Sequence, residues 1–398
     1  MDMKNIAEQI FLAGVESVLP DHLIRSRVKV INDILYVSDN SYNLSAVKNI
    51  YVVGAGKASA LMAKEIESIL GERITGGHIV VKYGHACELK KLTITEAGHP
   101  LPDANSVRAA GQILDIANQA AEHDLVICLI SGGASSLLAD FPEGSTLNDL
   151  IQANDLLVKS GAGIKEINTV RKHLSMIKGG QLAKAIYPAT TISLILSDVI
   201  GDPLDVIASG PTSYDTSTFP DAVAVIEKYH LGDKFPESMM HYIQKGIAGL
   251  VPETPKAADT VFEKVKNFII GSNSIALAAA ADKAKALGFM PYIITDALDD
   301  DYTEVADFVM KTIERFRAHQ KDQPVCLLFG GEPTVKVTGS GLGGRNQHLA
   351  LYCAVKLQGE KGITLLCAGT DGTDGPTDAA GAIVDGQTVE KAKSASID

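Results

Sequence analysis

Apolar runs of strand length alternate with helix-length amphipathic stretches along almost all of this 398-residue chain. A parallel neighbour strand can be reached only through a crossover, usually a helix, so the alternation predicts an α/β fold with a mostly parallel sheet. Strands are expected over 50–53, 79–81, 125–130, 191–196, 268–270, 292–294, 325–329 and 363–367. Helices are expected over 57–70, 105–122, 147–159, 180–186, 274–287, 303–317 and 347–357. Between Tyr214 and Pro255 the pattern loosens around prolines 220, 236, 252 and 255. Read as a hinge, that stretch divides the chain into an N-terminal domain, 1–245, and a C-terminal domain, 246–398, within the two or three domains this length favours.

Thirty-six basic against 48 acidic residues leave a net charge of −12 with no Lys/Arg block, which argues against a nucleic-acid or anionic-membrane surface. A local Lys/Arg pocket can still hold a small anion. The five cysteines are widely spaced and form no CxxC pair, which fits buried thiols in a reducing compartment better than disulfides or zinc. The N-terminus has helical apolar spacing at Ile6, Ile10, Ala13 and Val18, without the basic start and apolar block of a signal peptide. No apolar run approaches the roughly 18 residues that span a bilayer. The expectation is a cytoplasmic protein.

Four strand-like runs pass at once into loops of small residues: VVGAGKAS, LISGGASS, LFGGEPT and LCAGTDGTDG. In open α/β sheets ligands bind beyond the carboxyl ends of the strands, where such loops gather. In the first, Gly54 and Gly56 are expected to free backbone N–H groups beside Lys57 at the first helical turn, an arrangement suited to phosphate. It is neither a Walker A motif nor a full GxGxxG, because Ser59 stands at the third glycine position, and a solvated surface lysine is the alternative. The second offers Ser131, Gly132, Gly133, Ser135 and Ser136 as donors, or else a tight βα turn. No GxSxG is present to make a serine nucleophile.

Arg171, Lys172, His173 and Lys178 form the densest cationic cluster, readable as an anion site or as a solvated face. Asp198, Asp202 and Asp205 follow a strand; they suit Mg²⁺ or a proton taken from a hydroxyl, whereas helix capping before Pro203 accounts for Asp202 alone. The segment GGEPTVKVTGSGLGGRNQ sets Arg345 among glycines past a strand, with Glu332, Gly341, Gly343, Gly344 and Asn346 beside it, as an anion cradle. Asp371, Asp374 and Asp378 in the last loop read as metal or hydroxyl ligands, or as Asx-turn residues.

Taken together, VVGAGKAS, AGHPLPDANS, LISGGASSLL, NTVRKHLSMIKGGQLA, LSDVIGDPLDVIASGPT, GGEPTVKVTGSGLGGRNQ and AGTDGTDGPTDAAGA closely resemble the class II glycerate 2-kinase family, whose C-terminal part is the MOFRL domain. The resemblance runs in order over nearly the whole chain. It implies ATP-dependent phosphorylation of D-glycerate to 2-phosphoglycerate with a divalent metal such as Mg²⁺. It also implies an N-terminal Rossmann-like three-layer domain and a smaller C-terminal α/β domain, with the active site in the cleft between them. The family's catalytic lysine falls on Lys57, its arginine on Arg345, and its essential aspartate within SDVIGD, where Asp198 and Asp202 both qualify.

The resulting candidates for catalysis are Lys57, Arg345, Asp198 and Asp202. Those for the nucleotide are Gly54, Gly56, Ser131, Gly132, Gly133, Ser135, Ser136, Lys178, Glu332, Gly341, Gly343, Gly344 and Asn346. Arg171, His173, Asp371 and Asp374 are candidates for the substrate, and Asp198 and Asp374 for the metal. Expected partners are glycerate and ATP, with no nucleic acid and no membrane, and a homodimer is an open alternative to the monomer. Family members usually run on through an Asn-Asp-Ser-Tyr stretch to a Thr-Gly-Pro-Thr-rich end, so the C-terminal domain is expected to be truncated and short of a strand. Relatives have often been labelled hydroxypyruvate reductases, making an NAD(P)H-dependent reductase the rival reading, against which stands the missing GxGxxG with its ribose-binding acid. A non-catalytic sugar-acid-binding protein is a third, with no use for the late aspartate cluster.

Overall fold

The run LVICLI is apolar throughout and buried at every position, so it needs cover on both faces and takes the middle of a sheet. In the computed structural model, which describes residues 2–319, 323–339 and 341–397, it is one of six parallel strands. These are β1 (Ile50–Ala55), β2 (Ile74–Lys82), β3 (Thr93–Ala97), β4 (Leu125–Ile130), β5 (Thr190–Leu196) and β6 (Val265–Gly271). Their order is β3-β2-β1-β4-β5-β6, with every neighbouring pair parallel. That is the Rossmann order, and the strand sequence reverses direction between β1 and β4.

On one face Val53, Val126, Cys128 and Ile130 pack with Ala109 and Ile113 of the helix Ala104–Gln119. Asp103 starts that helix by accepting from Ser106 N at 2.9 Å, while Asp103 N donates to Ser106 Oγ at 3.1 Å. The helix Ser59–Leu70 buries Met62 and Ile66 completely and stops at Gly71, whose φ of +53° suits glycine.

The chain divides into two compact units, Pro20–Ser272 and a smaller one made of Met1–Leu19 with Asn273–Asp398. The boundary expected at 245 falls inside the helix Glu237–Ile247, and β6 beyond it still belongs to the large sheet. The supposed hinge is instead folded. Pro220 sits in the first turn of the helix Phe219–Lys228 and Pro236 caps Glu237–Ile247, both places where a missing N–H costs nothing. Phe219, Met239 and Ile243 are buried with Leu157 and Val170.

In the smaller unit Met290–Leu298 pairs in parallel with Val325–Gly331, and Thr364–Ala368 pairs antiparallel with Gly381–Asp385. The N-terminal helix Met3–Ser17 belongs here: Ile6 and Ile10 are buried with Ala280 and Ala284 of the helix Asn273–Ala286. Each isoleucine fully buried in this way contributes about 1.5–3 kcal/mol. Gly14 permits the close approach, since a Cβ there would stand 2.9 Å from the Ala276 carbonyl oxygen. Among the described residues no helix is long and apolar enough to cross a membrane.

Candidate active site

At the reversal point the turns after β1 and β4 diverge from adjacent strands and clasp one another. Gly56, at φ +129°, must be glycine, because a Cβ would run into Ser131 Oγ. Lys57 N donates to Gly132 O at 2.9 Å, Ala58 N to Ser131 Oγ at 3.0 Å, and Gly54 lies against Leu129. Gly56 N is bound to Val80 O at 3.1 Å and Ser59 N to Gly56 O at 3.2 Å. Every N–H from Gly56 to Ser59 is therefore engaged within the fold, which corrects the reading of Gly54 and Gly56 as a phosphate cradle. Lys57, half-buried, stands in the turn before the helix Ser59–Leu70 and not in its first turn.

The loop after β4 differs. Among the described residues the N–H groups of Gly132 and Gly133 meet no protein acceptor. Its hydroxyls are used to hold its shape: Ser136 Oγ donates to Gly133 O at 3.1 Å, and Ser135 Oγ bonds Ser209 Oγ at 2.9 Å. Because Ser209 Oγ donates in turn to Asn168 Oδ1 at 3.0 Å, the Ser135 hydroxyl is the donor in that pair. Two side chains press on the bare glycines. A Cβ on Gly132 would run into Asp198 Oδ2, and one on Gly133, at φ +83°, would stand 2.8 Å from Nε2 of His99.

Asp198 lies two residues past β5 and is exposed; Asp202 sits in the following turn at φ +53°, its N–H bonded to Val199 O at 3.1 Å. His99 comes from the loop after β3. Burial pushes its pKa below the ordinary imidazole range, and the positive charges of Lys57, Lys82 and His85 push it further. His85 Nδ1 is 3.1 Å from the Lys57 carbonyl. The stretch AGHPLPDANS carries part of the family resemblance, but nothing in its pattern singles out His99. A reading of TITEA as a strand would have put that histidine at a strand's carboxyl end.

The cationic cluster turns inward. Lys178 Nζ, buried, donates to Leu138 O at 2.6 Å and to Asp140 Oδ1 at 3.2 Å. Lys172 Nζ meets Asp215 at 3.3 Å and Asp205 at 3.5 Å. His173 bonds Thr169 O at 2.7 Å and Glu253 Oε2 at 3.0 Å, with its ring edge on Phe219. Arg171 Nε donates to Asn154 Oδ1 at 2.7 Å. Lys178 as a nucleotide ligand and His173 as a substrate ligand are therefore corrected: both are satisfied inside the fold.

In the smaller unit, Arg345 opens the helix Arg345–Lys356 after Gly344, and its Nη1 lies 2.7 Å from Glu332 Oε1. Gly341 and Gly343 have open space where a Cβ would stand. Asp374 is buried, and its carboxylate accepts Asn346 N at 3.0 Å, Gln347 N at 2.8 Å and both side-chain amides, at 3.1 and 3.2 Å. It serves as the cap that Gly344 cannot supply, close enough that a Cβ on Gly344 would collide with it. Those four bonds correct its reading as metal or substrate ligand, and they commit Asn346 too. Asp371 is exposed and accepts from Thr373 N at 3.3 Å, an Asx turn. Among the described residues no three His, Cys, Asp or Glu side chains gather as a metal site.

A sheet in Rossmann order whose reversal point sets a lysine, an imidazole and a carboxylate around two bare glycine amides defines an α/β enzyme of anionic ligands. Family models agree with that architecture: a domain of unknown function, DUF4147, matches residues 6–244 and the MOFRL family matches 325–398. The chain is 43% identical over 401 residues to a glycerate 2-kinase of Pyrococcus horikoshii, covering 100% of this chain and 89% of that protein. It is 41% identical over 394 residues to a D-glycerate 2-kinase of Thermotoga maritima, covering 98% and 88%. A crystal structure of glycerate kinase from Thermotoga maritima superposes with a TM-score of 0.86 at 40% identity, over 100% of this chain and 90% of that one. The chain belongs to the glycerate kinase family.

Proposed function

We propose that this protein is an ATP-dependent glycerate 2-kinase, a cytoplasmic enzyme that moves the γ-phosphoryl group of ATP to the 2-hydroxyl of D-glycerate. The observation that carries the reading is the convergence of Lys57 and Asp198 on the Gly132–Gly133 loop. Its two N–H groups and the Lys57 ammonium are donors for phosphate oxygens. Asp198 orients the substrate hydroxyl and takes its proton as the oxygen–phosphorus bond forms and the bond to the ADP oxygen breaks. Arg345, on the smaller unit, keeps the role of neutralising phosphoryl or carboxylate charge.

For a divalent cation, Asp198 fits as an exposed carboxylate meeting an ion that arrives with nucleotide phosphates, whereas Asp374 does not. Bound with ATP, such an ion neutralises phosphate charge. A dinucleotide fits poorly: the turn after β1 has no N–H left for a pyrophosphate, and β2 ends on Lys82 where a ribose-binding acid would stand.

The test offers D-glycerate with Mg-ATP beside hydroxypyruvate with NADH. ADP release only with glycerate, and a product identified by phosphorus NMR as the 2-phosphate, supports the reading. NADH loss only with hydroxypyruvate, or a 3-phosphate product, overturns it.

A further inference from the structure

We propose that His99 is a further binding residue of this site, its imidazole donating a hydrogen bond to a phosphate oxygen held over Gly133. The proposal rests on the kinase reading for the identity of the anion, and on the geometry of the loop for the rest.

The glycine pair is flanked from two different strand ends. Asp198, after β5, presses on Gly132, while the His99 ring, reaching across from the loop after β3, covers Gly133 with Nε2 and Cδ2 both 2.8 Å from where a Cβ would stand. The N–H groups of those glycines meet no protein acceptor among the described residues, so whatever they bind lies beside this ring. No hydrogen bond joins the ring to another residue among those described, in contrast to His173, whose two nitrogens are both tied to acceptors of the fold. A structural histidine looks like His173. One ring N–H of His99 is bonded to the residue's own backbone, and the other nitrogen is left beside a loop that also has polar capacity to spare.

The surrounding charge agrees. Lys57, Lys82 and His85 lie near enough to His99 to disfavour its protonation, in a chain whose net charge is −12. Lys57, Lys82 and His85 bring positive charge to the ring at Gly133, while Asp198 brings a carboxylate to Gly132, so an anion is favoured on the His99 side of the loop. A bound phosphate offsets those charges and favours the protonated ring, in which the nitrogen not bonded to the backbone is also a donor.

The test compares wild type with His99→Ala and His99→Gln, whose amide nitrogen replaces Nε2 as a donor that does not titrate. Steady-state kinetics with D-glycerate and Mg-ATP give kcat/KM, calorimetry gives the affinity for inorganic tripolyphosphate, and thermal melting gives stability. His99→Ala is expected to weaken tripolyphosphate binding and lower kcat/KM tenfold or more at an unchanged Tm, with His99→Gln recovering most of both. Wild-type affinity in His99→Ala overturns the proposal, and so do equal losses in both variants. A wild type that binds tripolyphosphate through His99 but does not phosphorylate glycerate supports the site and removes the kinase reading alone.

Discussion

Arg345 and Glu332 form an ion pair, Nη1 to Oε1 at 2.7 Å, that joins the first residue of a helix to the residue just past a strand. Their side chains are 42% and 59% exposed, so the pair contributes at most about 1 kcal/mol to folding. A pair this weak leaves stability little affected by the arginine, so the catalytic role proposed for it can be tested separately. Arg345→Ala is expected to lower turnover of D-glycerate on the order of a hundredfold or more, with little change in Tm. Unchanged kinetics would remove Arg345 from the site.

Asp374 should behave in the opposite way. Removing a buried cap that satisfies two backbone N–H groups and two amides is expected to cost about 2–4 kcal/mol, and Asp374→Asn, which keeps one acceptor, about half that. Urea denaturation measures both. If Asp374→Ala leaves the midpoint in place, the capping role is wrong.

Two glycines with positive φ, one in the loop after β4 and one closing the helix Ser59–Leu70, separate strain from function. Gly133→Ala meets both a φ of +83° and the His99 ring, whereas Gly71→Ala meets a φ of +53° with nothing within 4 Å. Each costs roughly 1 kcal/mol of backbone strain. Only Gly133→Ala is expected to lose catalysis, tenfold or more in kcat/KM. Equal kinetics in the two variants would show that the loop tolerates displacement of its imidazole.

Stability should fall on acidification. Burial first, and then Arg108, lower the His78 pKa from 6.5 to about 4. Between those values the unfolded chain takes up a proton that the folded chain refuses, so unfolding is favoured as the pH drops from 7 towards 4. His78→Asn should flatten this dependence when urea midpoints are compared at pH 7 and pH 5. An equally steep fall in the variant would assign the effect to other groups.

What could be read from the sequence follows from how local each signal is. Leu125–Ile130 and Leu147–Lys159 are found with both boundaries, the first because an unbroken apolar run has one use and the second because Thr146 and Asp149 mark its start with a capping box. The strand Thr93–Ala97 escapes because five residues at a sheet edge, only two of them buried, leave little pattern, and His99 goes unread with it. Charge density misleads at Arg171 to Lys178: the partners that draw these groups inward, Asp140, Asp215 and Glu253, are distant in sequence. Pro220 and Pro236 mimic a linker because proline favours helix starts and loops alike.

The pairing of Met3–Ser17 with Asn273–Ala286 sets an order on folding during synthesis. The first helix leaves the ribosome with its apolar stripe of Ile6 and Ile10 unmatched, and its partner is not made until the whole of Pro20–Ser272 has emerged. The larger unit can close on itself in that interval, while the smaller one waits for a segment synthesised long before. A growing chain of this kind carries an unmatched apolar helix while the whole of Pro20–Ser272 is made, an early target for chaperones and proteases.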